Sequence, residues 1–236
     1  MPDAEEIMNR SRELSLAGTI SANISLTITE KTGAVRNRTI SMTTKSYPDG
    51  SEKRMVKFLE PADVRGTAML VNDLQDVSDE MWIYLPALKK TRRIVSSEKG
   101  KSFMSSEFSN ADMSSPTLSD FTNRHTGNSG KNNQWIIESI PSDENKAEEY
   151  GYSKKVTYIS MDKYHIQKME FYNFDNELFK IIEIKNTYPL PGGKYLVQNM
   201  LANNLVSKRK SEIVFSDISA GISVDDSFFT LQNLER

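Results

Sequence analysis

Few residues in this chain could move a proton near neutral pH: it has two histidines, His125 and His165. His125 lies in the run Asn123-Arg124-His125-Thr126-Gly127-Asn128-Ser129-Gly130, with Asp120 just upstream. By type, Ser129, His125 and Asp120 would be a nucleophile, a base and an orienting carboxylate. No G-x-S-x-G elbow and no strand–turn–helix context accompany them. His165 falls in a strand pattern on the parity of Met169 and Phe171, where a packed or hydrogen-bonded histidine is the commoner role. No catalytic set is therefore expected, and His125, His165 and Ser129 are the candidates should the chain hydrolyse lipids. The chain has no cysteine, which excludes disulfides, zinc–thiolate sites and thiol catalysis. It has neither H-E-x-x-H nor an EF-hand loop. Gly127-Asn128-Ser129-Gly130 lacks the Gly-Lys-Ser or Gly-Lys-Thr of a phosphate-cradling loop. Neither a metal nor a cofactor is expected.

The formal charge is −2, from 30 basic and 32 acidic residues. That argues against a dedicated nucleic-acid binder, whose affinity comes mainly from a basic surface. The densest basic run is Lys89-Lys90-Thr91-Arg92-Arg93. A solvated hairpin accounts for it. The functional alternative is that Lys89, Lys90, Arg92 and Arg93 meet anionic lipid headgroups or an acidic partner. Methionines fall in several predicted strands (Met42, Met55, Met69, Met81, Met169, Met200), where β-branched residues are usual. Flexible thioethers suit a deformable apolar interior.

These groups must be carried mainly by strands. Asp3 and Glu6 form a capping-box pattern ahead of a helix with Ile7 and Leu14 on one face. From Thr19 the period becomes two, and Ile20, Ala22, Ile24, Leu26 and Ile28 predict a half-buried strand. Further strands are predicted at 39–43, 55–59, 67–71, 81–85, 91–95, 134–138, 155–160, 164–172, 178–186, 195–202 and 210–215. With turn signals at Pro48-Asp49-Gly50, Asp162-Lys163 and Asp175-Asn176, the pattern reads as about eleven strands of one antiparallel sheet. The length of 236 residues suits one such domain, 1–236, with no linker or repeat inside it. Residues 96–129 differ: ten of the thirty-four are serine, yet Phe103, Met104, Phe108, Met113, Leu118 and Phe121 punctuate them. Short helices or a folded-back loop are expected there. Its serines suggest light packing, and so a movable lid that opens at little cost. No apolar run of ~18 residues is present, so no helix is expected to span a membrane. Met1-Pro2-Asp3 leads straight into a polar helical pattern, as if a start codon preceded a trimmed mature chain.

Three segments read as a family: Phe58-Leu59-Glu60-Pro61-Ala62-Asp63-Val64-Arg65-Gly66-Thr67, Trp82-Ile83-Tyr84-Leu85-Pro86-Ala87-Leu88-Lys89-Lys90-Thr91-Arg92-Arg93-Ile94 and Phe103-Met104-Ser105-Ser106-Glu107-Phe108-Ser109-Asn110-Ala111-Asp112-Met113. They resemble the bacterial outer-membrane lipoprotein-sorting proteins, a family similar to the periplasmic carriers LolA and LolB. The resemblance spans nearly the whole chain and is most specific from Trp82 to Ile94. It implies a mainly β fold: a strongly curved antiparallel sheet forming an incomplete barrel, with short helices over an apolar concave face. It also implies acyl chains of lipids or lipoproteins as ligands and the periplasm as location. For some relatives it implies work beside an inner-membrane transporter of the resistance–nodulation–division type. It supplies no catalytic motif. Whether the chain is a soluble carrier or a lipoprotein touching the membrane through a removed lipid anchor stays open.

The leading expectation is a non-enzymatic periplasmic carrier of lipid or lipoprotein between the two membranes. A lipid-processing hydrolase using the same cavity and a structural adaptor of an envelope complex are the alternatives. Met55, Met69, Trp82, Tyr84, Met169 and Phe171 are the candidate cavity residues.

Overall fold

Asp3 opens the first helix as its capping pattern predicts. Its side chain accepts from the Glu6 N–H at 2.8 Å, and Glu6 reciprocates with the Asp3 N–H at 3.0 Å. The helix, α1 (Ala4–Ser15), buries Ala4, Ile7, Met8, Ser11 and Leu14, a one-sided stripe at helical spacing. The computed structural model describes residues 2–74, 79–115, 117–129 and 132–235.

Thirteen strands follow among the described residues: β1 (Thr19–Thr29), β2 (Val35–Ser46), β3 (Glu52–Glu60), β4 (Ala68–Asp73), β5 (Glu80–Leu85), β6 (Lys90–Ile94), β7 (Phe121–Ser129), β8 (Gln134–Pro141), β9 (Lys154–Ser160), β10 (Ile166–Tyr172), β11 (Leu178–Pro189), β12 (Tyr195–Asn204) and β13 (Lys210–Ala220). They form one antiparallel sheet in the order β6-β5-β4-β3-β2-β1-β13-β12-β11-β10-β9-β8-β7. The sheet is not closed: β6 and β7 are its two edges. The expected incomplete barrel is present, with thirteen strands where the sequence suggested about eleven.

The one strand missing from the predicted set is β7, and the reason is physical. β7 is an edge strand of mostly polar residues, with Phe121 buried at its start, so alternation hardly marks it. The last nine residues of the segment expected to be a lid, 121–129, are therefore strand. His165 lies in the turn before β10, outside the strand its parity suggested. Helix α3 (Glu144–Tyr150) was not marked either. Asp143 caps it through the Lys146 N–H at 2.9 Å, and Gly151 ends it at φ 79°. Helices α2 (Ser96–Lys99) and α4 (Leu231–Leu234) are single turns.

Two faces collect different cores. The concave face holds the main core, with Leu26, Ile28, Ile40, Phe58, Met69 and Ile182 among its members. On the convex face Met55, Ala68 and Leu70 meet Phe229 and Leu234 of the C-terminal segment, with Trp82 and Tyr84 packed against them. α1 closes part of the concave side with Ala4, Ile7 and Met8 on Trp135, Ile137 and Ile159.

Phe58 is buried on the concave side, 5.8 Å from the Phe103 ring, where truncation leaves a cavity that neither the sheet nor residues 96–120 can fill. Phe58→Ala should lower stability by ~3–5 kcal/mol, read as a fall in the urea midpoint. The exposed Phe174→Ala should stay within ~0.5 kcal/mol.

Candidate functional site

β6 and β7 are consecutive in sequence but lie at opposite edges of the sheet. Residues 95–120 must therefore cross the concave face. They do so as α2 and three short 3-10 turns at Phe103–Ser105, Ala111–Met113 and Leu118–Asp120. Irregular backbone over an apolar face leaves polar groups to satisfy, and side chains of the sheet supply partners. The Arg38 guanidinium donates to the Met104 carbonyl and Arg54 to the Met113 carbonyl. Arg209 donates to the Ser105 carbonyl at 2.7 Å. The Glu107 N–H donates to Ser211 Oγ at 2.9 Å, and the Ser115 N–H to Asp73 Oδ2 at 2.8 Å. Lys180 pairs with Asp112 at 2.8 Å, and Lys99 with Glu149 at 2.5 Å. The serine content suggested light packing. Instead Phe103, Ser106, Phe108, Ser109 and Met113 are buried and the segment is fastened along its length.

Between this crossover and the sheet lies a cavity of about 320 Å³. Its walls are mostly apolar: Ile24, Ile40, Met42 and Val56 from β1–β3, Met169, Phe171 and Ile182 from β10 and β11, and Met200, Ile213 and Phe215 from β12 and β13. Phe103, Phe108, Met113 and Leu118 of the crossover complete them. Met104 packs against the main core, and Phe121 belongs to β7, its ring 4.7 Å from that of Tyr150. Burial and then the nearby Asp120 push the Tyr150 hydroxyl pKa up, and burial raises that of Tyr152.

The six candidate cavity residues divide by strand parity. Met169 and Phe171 line the cavity. Met69 is buried in the concave core without lining it. Met55, Trp82 and Tyr84 do not reach it. Met55 pairs with Leu70 and Leu70 with Trp82, which puts all three on the convex face, while their neighbours Val56, Met69 and Ile83 face inward. Bulk marks these side chains as buried without telling which face is concave.

The sequence reading missed the inward charges. Arg38, Arg54 and Lys155 share parity with Ile40, Phe58 and Ile159 on their strands, so a charge on an apolar parity was the available signal. Among the described residues five charged side chains line the cavity: Arg12, Glu52, Arg54, Asp112 and Lys155. Arg12 lies 3.6 Å from Asp73, Arg54 pairs with Glu52 and Asp112 with Lys180. Burial, then the neighbouring Asp79, pushes the Asp73 carboxyl up to about 7. Lys155 has neither an ion pair nor a hydrogen bond among the described residues. Its Nζ sits 5.2 Å from the Phe121 ring centroid, and burial pushes its pKa down to about 8.

The histidines lie apart from this chemistry. His165 stacks on Tyr195 at 3.7 Å between centroids, and burial, then Lys163, lowers its pKa. His125 pairs across the ladder with Ile137, and its Nε2 has no hydrogen-bond partner among the described residues. Asp120 is held by Tyr150 at 2.8 Å and Lys146 at 2.9 Å. The side chain of Ser129 lies outside the described part. Among the described residues no three His, Asp or Glu gather as metal ligands, and no helix is long and apolar enough to cross a membrane.

The basic run occupies β6 and the turn before it. Arg92 pairs with Glu98 at 2.6 Å, and Arg93 reaches Glu80 at 3.4 Å and lies over Trp82. Lys89 and Lys90 are exposed.

Lys155 has a calculable effect on stability. Its folded pKa lies below the ordinary lysine value, so below pH 8 both folded and unfolded chains carry the charge and its burial cost is full. Between pH 8 and ~10.5 only the unfolded chain holds the proton, and this group's cost fades as pH rises. Lys155→Met should therefore raise stability at pH 7 by on the order of 2–4 kcal/mol. Urea unfolding at pH 7 and pH 10.5 should show the gain shrinking at the higher pH.

Residues 50–236 match a protein-family model whose description reads "Uncharacterized protein". Among solved structures, the chain is similar to a domain assigned as an outer-membrane lipoprotein-sorting protein from Vibrio parahaemolyticus, with 26% identity, 98% of this chain and 97% of that one covered, and a TM-score of 0.89. It is similar to a DUF1329 family protein from Desulfovibrio piger at 25% identity, with the same shares covered and a TM-score of 0.88. A LolA superfamily protein from Nitrosomonas europaea, 18% identical over 99% of this chain and 100% of that one, shares the fold at a TM-score of 0.76. No curated protein matches the chain.

Proposed function

We propose that this chain, which belongs to the family whose model matches residues 50–236 and is similar to an outer-membrane lipoprotein-sorting domain and, in fold, to a LolA superfamily protein, is a periplasmic carrier, one domain that holds acyl chains of lipid or lipoprotein in its cavity. The observation that carries this reading is the apolar cavity of about 320 Å³ roofed by the chain's own crossover. At ~30 Å³ per water-sized group, that volume takes roughly ten such groups, the scale of one acyl chain. Bulkier cargo needs the crossover to move. Phe103, Phe108 and Met113 are then the apolar contacts that cargo replaces, so the segment serves as a lid even though it is firmly tied.

Mass spectrometry of lipids co-purified from the native host tests the carrier reading. One acyl chain per molecule is expected, and Ile182→Phe, which fills the cavity, should cut the yield several-fold. Hydrogen exchange across residues 103–115 should change when lipid is bound. A protein without lipid, unable to bind an apolar dye, would overturn the reading. Turnover of phospholipid esters lost in His125→Ala or His165→Ala would favour a hydrolase instead.

One end of the sheet suits contact with a membrane. Strand direction alternates throughout, so loops 30–34, 61–67, 86–89, 173–177 and 205–209 share that end. Of seven exposed large hydrophobics among the described residues, five lie there: Val35, Leu59, Leu88 (63% exposed), Phe174 (63%) and Val206 (74%). Lys89 and Lys90 follow Leu88, and Lys208 lies two residues after Val206. Each lysine near an anionic surface adds ~1 kcal/mol to binding. Combined Leu88→Glu, Phe174→Glu and Val206→Glu should reduce co-sedimentation with phosphatidylglycerol vesicles at least tenfold, with an unchanged Tm.

A further inference from the structure

The geometry points to an anion-binding site inside the apolar cavity, formed by Lys155 and Thr157, that selects single-chain amphiphiles with an anionic head. This rests on the carrier reading and names its ligand class. The two residues lie two apart on β9, both line the cavity and both are buried, Lys155 to 5% exposure. Thr157 Oγ1 has no hydrogen-bond partner among the described residues, so a donor stands unused beside an ammonium without a counter-ion.

The surroundings supply no carboxylate that neutralises Lys155. Ser139 and Phe171 are its cross-strand neighbours on β8 and β10, and the Ser139 hydroxyl donates to Asn123 at 2.6 Å. Phe171 pairs in turn with Lys180 on β11, a second positive charge. The acid whose charge acts on Lys155 is Asp112 on the crossover, whose Oδ2 already accepts from Lys180 Nζ and the Ser109 N–H, each at 2.8 Å. The group of Lys155, Lys180 and Asp112 therefore carries one positive charge in excess. An unpaired charge in an apolar wall is costly, and an anionic ligand relieves that cost. A carboxylate or phosphate head accepts from the ammonium and the hydroxyl together, while its tail lies along Met169, Phe171 and Ile182. A neutral head leaves the charge as it was.

The test uses the full chain and displacement of N-phenyl-1-naphthylamine by palmitate, monohexadecyl phosphate and hexadecanol, which share one tail. If the naphthylamine does not bind at all, the carrier reading fails, and this inference with it. If it binds, palmitate should displace it at least tenfold more tightly than hexadecanol at pH 7. That ratio should fall towards one by pH 10, as the lysine loses its proton. It should also fall towards one in Lys155→Met at pH 7, and drop partway in Thr157→Val. Because the pH series is run on the unaltered protein, misfolding of a variant cannot hide the answer. Tighter binding of the phosphate than of palmitate would assign the site to a phospholipid-type head, and the reverse order to a fatty acid. Equal affinity of palmitate and hexadecanol in the unaltered protein overturns the anion site while leaving the carrier reading standing.

Discussion

An open sheet whose two edge strands are neighbours in sequence forces one connection to cross the whole concave face. In this protein that connection is residues 95–120, and much of the interior follows from it. Irregular backbone cannot satisfy its own polar groups as a helix or ladder does. Placed over an apolar surface, it needs donors and acceptors from that surface. Arg38, Arg54, Asp73, Lys180 and Ser211 point inward from five strands to meet it or its side chains. The buried charges of the concave face are thus largely a consequence of the crossover. The same crossover keeps the concave face from closing on itself, and the space left beneath it is the cavity.

Much of this was legible in the sequence, and the limits are physical. β1 was plain because Ile20 through Ile28 alternate without a break, each buried on one face. α1 was plain because its cap and its apolar stripe agree. β7 was not, because an edge strand with one solvated face and little core contact does not need apolar alternation. The cavity residues were half legible. Alternation separates Met55 from Val56 and Trp82 from Ile83, but both faces of β3–β5 are covered, one by the crossover and the other by the C-terminal segment. Where both faces are apolar, periodicity cannot say which one is concave. The crossover was recognised from its spaced aromatics among serines, while its tethers were invisible, since they depend on charges scattered through distant strands.

The inward charges separate into two kinds. Arg12, Arg54 and Asp112 are each matched by an opposite charge, and their side chains hold backbone or one another in place. Lys155 makes no ion pair or hydrogen bond among the described residues; its ammonium lies over the Phe121 ring. A residue that secured the fold would have a partner within it. The histidines lie elsewhere: His165 stacks on Tyr195 and His125 pairs across the ladder with Ile137.

Magnitudes indicate how such release could work. Uncovering Phe103, Phe108 and Met113 forfeits ~1.5–3 kcal/mol for each side chain, so the crossover holds the concave face with roughly 5–9 kcal/mol of apolar contact. A chain of about ten methylenes entering in their place regains ~8 kcal/mol at ~0.8 per methylene. The two terms are close enough that exchange between crossover and cargo is nearly balanced, and modest terms decide its direction. The polar tethers are such terms: each net hydrogen bond adds ~0.5–1.5 kcal/mol to the closed form. Burial, then the neighbouring Asp79, pushes up to about 7 the Asp73 carboxyl that accepts from the Ser115 N–H, so this tether responds to pH. The proposed carrier role asks that cargo be held in water and given up at a membrane, and a roof made of the chain's own crossover, balanced against cargo to within a few tethers, suits both.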